Sequence, residues 1–137
     1  MSLFYLDSSA VVKLIRAERE TATLKTFIDD ADLISSALVL TEVPRAVRRA
    51  SASEPHLPLD ELIAHAGDLI DALALVPLDG ALLTVAGALD EPTLRSLDAI
   101  HVAAAASVSP ITAFVSYDER QSAAARLAGL RTAAPGG

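Results

Sequence analysis

Four acids stand out by the residues around them: Asp7, Glu42, Asp98 and Asp118. Asp7 closes the apolar run Leu3-Phe4-Tyr5-Leu6, and Asp118 follows Ala113-Phe114-Val115-Ser116. Asp98 lies near the start of the apolar segment Leu97-Asp98-Ala99-Ile100-His101-Val102-Ala103. Glu42 is a lone charge in Leu38-Val39-Leu40-Thr41-Glu42-Val43, and a Glu buried without a partner is costly. Carboxylates gathered at one site repel one another, and their pKa values rise unless a cation resolves the conflict. Oxygen-only donors favour Mg²⁺ or Mn²⁺ over zinc. Such an ion polarises a phosphate and activates water, and two ions about 4 Å apart stabilise the attacking and leaving oxygens. The chemistry indicated is metal-dependent phosphoryl transfer. Each acid also has a plainer reading: Asp7 and Asp118 as helix caps, Asp98 as a helix-dipole partner, Glu42 as a side chain facing water.

Several neighbours extend the candidate site. Ser9 is placed to bond Asp7 or a water at the site, and equally to cap a helix. Arg45 and Arg49, at i and i+4 on the helix expected to carry Glu42, share a face that suits substrate phosphates or solvent. Arg95 and Arg120 flank Asp98 and Asp118 with the same two readings. His101, one turn after Asp98, suits a general base or a packed core position, the latter being favoured. Tyr117 suits base stacking or packing. His56 and His65 show no metal-ligand spacing.

Composition narrows the classes. With 137 residues, 52% of them hydrophobic, the chain suits one domain with one continuous core. Aromatic residues make up only 4%, so Ala, Leu and Val must build that core. The net charge of −7 counts against a plain nucleic-acid-binding module unless a metal reverses the local field. The absence of Cys excludes a disulfide framework, a thiolate metal site and a Cys nucleophile. No basic segment precedes an apolar run at the amino end, and no apolar stretch approaches the roughly 20 residues of a membrane span, so a soluble, cytoplasmic protein is expected.

The elements that must position the acids follow from pattern. Strands are expected at Leu3–Leu6, Asp32–Ser35, Leu75–Pro77 and Ala113–Ser116, with a final edge strand at Leu130–Thr132. Helices are expected over Ala10–Arg16 behind Ser8 and Ser9 as N-caps, over Glu20–Ala31, and from Ser36 to about Ala50. Ser51–Pro58 reads as a loop, Leu59–Leu73 as an amphipathic helix, and Asp79 as the cap of a helix through Leu89. Ser96–Ser107 and a segment opened by Asp118 complete the helices. Pro44, two residues after Glu42, either kinks its helix and redirects Glu42 or marks a helix start near Val43. Strands alternating with helices imply an α/β domain over residues 1–132, with a mainly parallel sheet covered on both faces. Residues 133–137 are expected to be a loose tail. Ligands of such sheets bind beyond the carboxyl ends of the strands, where Asp7 and Asp118 fall.

In this order, the motifs resemble a known family. Leu6-Asp7-Ser8-Ser9-Ala10-Val11-Val12-Lys13 resembles the opening of PIN-domain nucleases. Leu40-Thr41-Glu42-Val43 resembles their second acid segment, and Phe114-Val115-Ser116-Tyr117-Asp118 their closing one. Leu97-Asp98-Ala99-Ile100-His101-Val102-Ala103-Ala104 is similar to a segment of VapC-type toxins. The resemblance implies a PIN-like three-layer α/β/α fold with four to five short strands. It also implies an Mg²⁺- or Mn²⁺-dependent endoribonuclease, the toxin of a type II toxin–antitoxin pair, homodimeric and neutralised by a small antitoxin protein. Asp7 and Asp98 would be the principal metal ligands, with Glu42 and Asp118 completing the set directly or through water. A haloacid-dehalogenase-like enzyme would want a second acid where Ser9 stands, and a receiver domain a late Lys, whereas the last is Lys25. A catalytically silent binding protein on the same fold is the alternative from a different class.

Overall fold

The computed structural model describes residues Met1 to Gly137. Five strands form one sheet: β1 (Leu3–Leu6), β2 (Asp32–Ser36), β3 (Ala74–Val76), β4 (Ala113–Val115) and β5 (Thr132–Ala133). Seven helices connect and cover them: α1 (Ser8–Ile15), α2 (Thr21–Phe27), α3 (Val39–Ser53), α4 (Leu59–Asp71), α5 (Gly80–Gly87), α6 (Ser96–Ser107) and α7 (Glu119–Leu127). The sheet order is β3-β2-β1-β4-β5, and every pairing is parallel. It is the three-layer α/β/α architecture expected from the sequence.

Alternation along the strands divides the interior in two. Phe4, Leu6, Ala113 and Val115 point to one face, where they pack on Val11 and Leu14 of α1, Val43 and Val47 of α3, and Ile70 of α4. Tyr5 and Phe114 point to the other, against Leu82 of α5, Val102 and the alanines of α6, and Ala125 of α7. Small Ala side chains let α6 lie close to the sheet and leave room for two aromatic rings beneath it. The single core expected from composition is therefore two cores separated by the sheet.

Several boundaries differ from the sequence pattern, each for a local reason. Asp7, rather than Ser8 or Ser9, is the N-cap of α1. α2 stops at Phe27 instead of reaching Ala31: acids at a carboxyl end oppose the helix dipole, and Asp30 adopts a left-handed φ of 58°. α3 runs on through Ser53 into the expected loop and ends just before Pro55, since a residue preceding proline disfavours helical geometry. It also runs through Pro44, whose missing N–H forgoes one bond to the Leu40 carbonyl without ending the helix. At the far edge β5 takes in Ala133, one residue past the expected boundary, and the Tyr117 hydroxyl donates to the Pro135 carbonyl at 2.8 Å.

The topology fixes where a site must lie. β1 pairs with β2 on one side and β4 on the other, so the chain changes direction across the sheet between β1 and β4. The carboxyl ends of these two strands form the crevice at which parallel α/β sheets bind ligands. Asp7 leaves the first strand there, and Ser116, Tyr117 and Asp118 leave the second.

Candidate functional site

Asp7 is buried (1% exposed) and already held by three donors. Its Oδ1 accepts from the Ala10 N–H at 3.0 Å and from Ser9 Oγ at 2.7 Å, and its Oδ2 accepts from Ser116 Oγ at 2.5 Å. Ser9 and Ser116 in turn accept from the backbone N–H groups of Tyr117 and Asp118, both at 3.0 Å. The two hydroxyls thus staple the β4–α7 turn to the β1–α1 turn, with Asp7 between them. Burial pushes the Asp7 carboxyl above its ordinary range despite the donors, which act to lower it.

Asp118 caps α7, its Oδ1 accepting from the Gln121 N–H at 3.2 Å. Capping does not remove it from the site, because its charge is felt at Asp98. Asp98, in the first turn of α6, is half-buried and accepts from Gln121 Nε2 at 2.9 Å. Desolvation pushes the Asp98 carboxyl up, and the negative charges of Asp118, Glu42 and Asp7 push it further. Gln121 is itself buried, and its Oε1 has no hydrogen-bond partner.

Glu42 reaches the same end of the sheet from the opposite layer. Pro44 has not turned it away: Glu42 Oε1 accepts from Ser8 Oγ at 2.6 Å and lies 2.7 Å from His101 Nε2. Burial would push Glu42 up, but bonds from His101 and Ser8, with help from the Arg49 charge, hold it below the usual carboxylate range. His101 is 1% exposed and has both ring nitrogens engaged, Nδ1 with the Tyr5 hydroxyl at 2.8 Å and Nε2 with Glu42. It is shut away from a substrate's protons, so the general-base reading fails, and it does more than pack.

The flanking cations separate into different surroundings. A cleft of about 370 Å³ beside Glu42 is lined by Ser8, Ser9, Lys13, Arg49 and Tyr117. Arg49 therefore faces the site; Arg45, Arg95 and Arg120 are exposed, and none of them lines this cleft. Lys13 lies 4.7 Å from the centre of the Tyr117 ring and is paired with Glu18 at 2.5 Å and Glu20 at 2.9 Å. Lys13 covers the Tyr117 ring and the hydroxyl is committed to Pro135, an arrangement that favours packing over base stacking.

The four acids are thus brought to one end of the sheet but not into one cage: no three carboxylate or imidazole groups converge closely enough to hold an ion unaided. The donor chemistry nevertheless fits a hard cation. All four acids offer oxygen, and Asp98 carries a like-charge conflict that a cation would relieve. Mg²⁺ commonly uses one or two carboxylates and keeps several waters, which an incomplete protein shell permits. Sequence reasoning gave no site role to Tyr5, Ser116 or Gln121, and read Ser8 as an N-cap alone. Only Ser116, a hydroxyl at a strand end two residues before an acid, carried a local hint, although its partner lies 109 positions away.

The sequence is similar to known proteins along almost its whole length. A family model described as the PIN domain matches residues 4–127. Ribonuclease VapC35 of Mycobacterium tuberculosis is 39% identical over 141 aligned positions, covering 98% of each chain. Ribonuclease VapC47 of the same species is 36% identical over 140 positions, again with 98% of each chain covered. Ribonuclease VapC46 is 36% identical over 137 positions, covering 98% of this chain and 99% of that protein.

Proposed function

The chain belongs to the PIN-domain family, and from that premise we propose that it is an Mg²⁺- or Mn²⁺-dependent endoribonuclease acting as the toxin of a type II toxin–antitoxin pair. One observation carries the metal-dependent part: at the switch point of the sheet, Asp98 is half-buried near three other acids, and burial first, then their charges, pushes its carboxyl up. Near-full-length likeness to proteins named as VapC ribonucleases supports RNA as the substrate.

In this reading Asp7 and Asp98 are the principal metal ligands. When bound, the cation supplies Lewis-acid polarisation of the scissile phosphate and acidifies water for in-line attack. Ser9 and Ser116 orient the Asp7 oxygens, and Gln121 orients Asp98. Asp118 contributes its second oxygen directly or through water. Glu42, with Oε1 already engaged, acts through water at the side facing the cleft. Arg49 receives a phosphate of the RNA strand, a role that Arg45, Arg95 and Arg120 share only at longer range. The cation also answers the charge objection, because it reverses the sign of the site within a protein of net charge −7.

The partners expected of such a toxin are a cognate small antitoxin and a second copy of the chain. Leu83 and Val85 of α5 and Leu97 of α6 are exposed apolar side chains. Mass measurement in solution tests the dimer. No helix is long and apolar enough to cross a membrane. The decisive experiment incubates RNA with wild type, Asp7→Asn and Asp98→Asn in Mg²⁺ or Mn²⁺ and in EDTA. Cleavage by wild type with metal alone supports the proposal. Equal cleavage by the variants overturns it, and no cleavage by any form favours the silent binding protein.

A further inference from the structure

We propose that His101 is a positioning residue for Glu42, and that the Tyr5 hydroxyl selects the imidazole tautomer that lets it act so. An ionised carboxylate can only accept hydrogen bonds. Glu42 Oε1 lies 2.7 Å from His101 Nε2, so the proton of that bond belongs to Nε2. The other ring nitrogen, Nδ1, meets the Tyr5 hydroxyl at 2.8 Å. With the ring proton on Nε2, Nδ1 is an acceptor, and the Tyr5 hydroxyl is the donor that meets it. The two bonds call for the same tautomer: a proton on Nδ1 instead would leave Glu42 with Ser8 as its one side-chain donor.

The relay crosses all three layers. Tyr5 is anchored in β1, fully buried, and stacked on Phe114 with ring centres 5.3 Å apart and planes 6° from parallel. His101 belongs to α6 on one face of the sheet, and Glu42 to α3 on the other. Ser8 closes a triangle, 2.6 Å from Glu42 Oε1 and 3.2 Å from His101 Nε2. A glutamate has three side-chain torsions, and Pro44, two residues later in the same helix, removes one backbone hydrogen bond from that turn. The fixed point that aims its carboxylate is thus the sheet interior, reached through an imidazole that solvent does not touch. His101 acts through Glu42 and touches no substrate.

The inference rests on the nuclease reading for its catalytic consequence but not for its geometry, and the test separates the two. ¹⁵N spectra of the imidazole should show the Nε2–H tautomer alone in wild type and a mixture in Tyr5→Phe, which keeps the stacked ring. Steady-state RNA cleavage with Mn²⁺ should show kcat lowered about tenfold in His101→Leu with KM little changed. His101→Gln, which restores an N–H donor, should recover part of that loss, and Tyr5→Phe should fall between wild type and His101→Leu. An Nδ1–H tautomer in wild type overturns the proposal, as does a folded His101→Leu with wild-type kcat. Equal loss in His101→Leu and His101→Gln also overturns it, because volume alone would then matter. If His101→Leu does not fold, Tyr5→Phe carries the kinetic test, and an unchanged kcat there is fatal. If wild type cleaves no RNA, the nuclease reading fails by itself. A tautomer that scrambles in Tyr5→Phe would still support the relay, and one that does not would overturn it.

Discussion

Glu42 and Asp98 bring the same charge to the same end of the sheet from opposite layers, and they meet opposite fates. Glu42 is met by two donors and a nearby Arg49 charge, and its carboxyl is held down. Asp98 has one amide donor and three acidic neighbours, and its carboxyl is pushed up. One half of the site is closed, its hydrogen bonds made within the protein. In the other, Asp98 forms no ion pair and has Gln121 Nε2 as its one side-chain donor. The contrast teaches where a cation is needed: on the Asp7–Asp98–Asp118 side, with Glu42 as a prearranged wall.

Mutations to amides should break the symmetry of the two acids. Asp98→Asn is expected to lower RNA cleavage by about 100-fold or more, the scale of losing charge stabilisation at a reacting phosphate. In EDTA the same change should raise Tm, because it removes a repelling charge. Glu42→Gln should lower cleavage about tenfold, the scale of a supporting partner. It should also lower Tm, because the buried His101 Nε2–H loses its charged acceptor at a cost of about 1–3 kcal/mol. Melting curves in EDTA beside cleavage rates in Mn²⁺ check both signs. A rise in Tm for Glu42→Gln would erase the distinction.

Titration should sharpen it. Asp7 and Asp98 have raised pKa values when folded, so the folded state binds their protons more tightly than the unfolded state. Their contribution therefore weakens the metal-free protein as pH rises from the ordinary aspartate range, about 3.9, through the raised values. Glu42 is lowered when folded, so its contribution is present above the ordinary glutamate range, about 4.3, and is lost as pH falls through the lowered value. Tm measured against pH in EDTA should show the first loss, Asp98→Asn should reduce it, and Mn²⁺ should abolish it. The smallest effect concerns the cleft. Arg49→Ala should weaken RNA binding and reduce its salt slope by about 1, whereas Arg45→Ala should change less. Binding isotherms at several salt concentrations decide this.

The alternation of strands and helices was legible because short apolar runs closed by Asp7 and Pro77 read as strands, and α4 repeats its apolar residues at a helical period. Element ends were less so: α3 reads as stopping at Ala50 only if Ser51 and Ser53 are taken as loop formers, whereas the effective stop is Pro55. The four acids of the candidate site could be singled out in the sequence, Asp7, Glu42 and Asp98 as charges beside or within apolar segments and Asp118 by its place after a strand. Their division into two halves was not legible. It depends on Tyr5 and His101, 96 positions apart, and on Ser8 and Glu42, 34 apart, and such pairings leave no periodicity to read. His101 shows the limit most plainly. Its spacing from Asp98 suggested either a base or a packed core residue, and its bonds to Glu42 and Tyr5 follow from layers that meet only in the folded chain.

The most direct test of the two-halves account is a crystal structure with Mn²⁺, read by anomalous diffraction. The account predicts a peak among Asp7, Asp98 and Asp118, with the Glu42–His101–Ser8 triangle intact beside it. A peak that displaces His101 from Glu42, or none at saturating Mn²⁺, would contradict it.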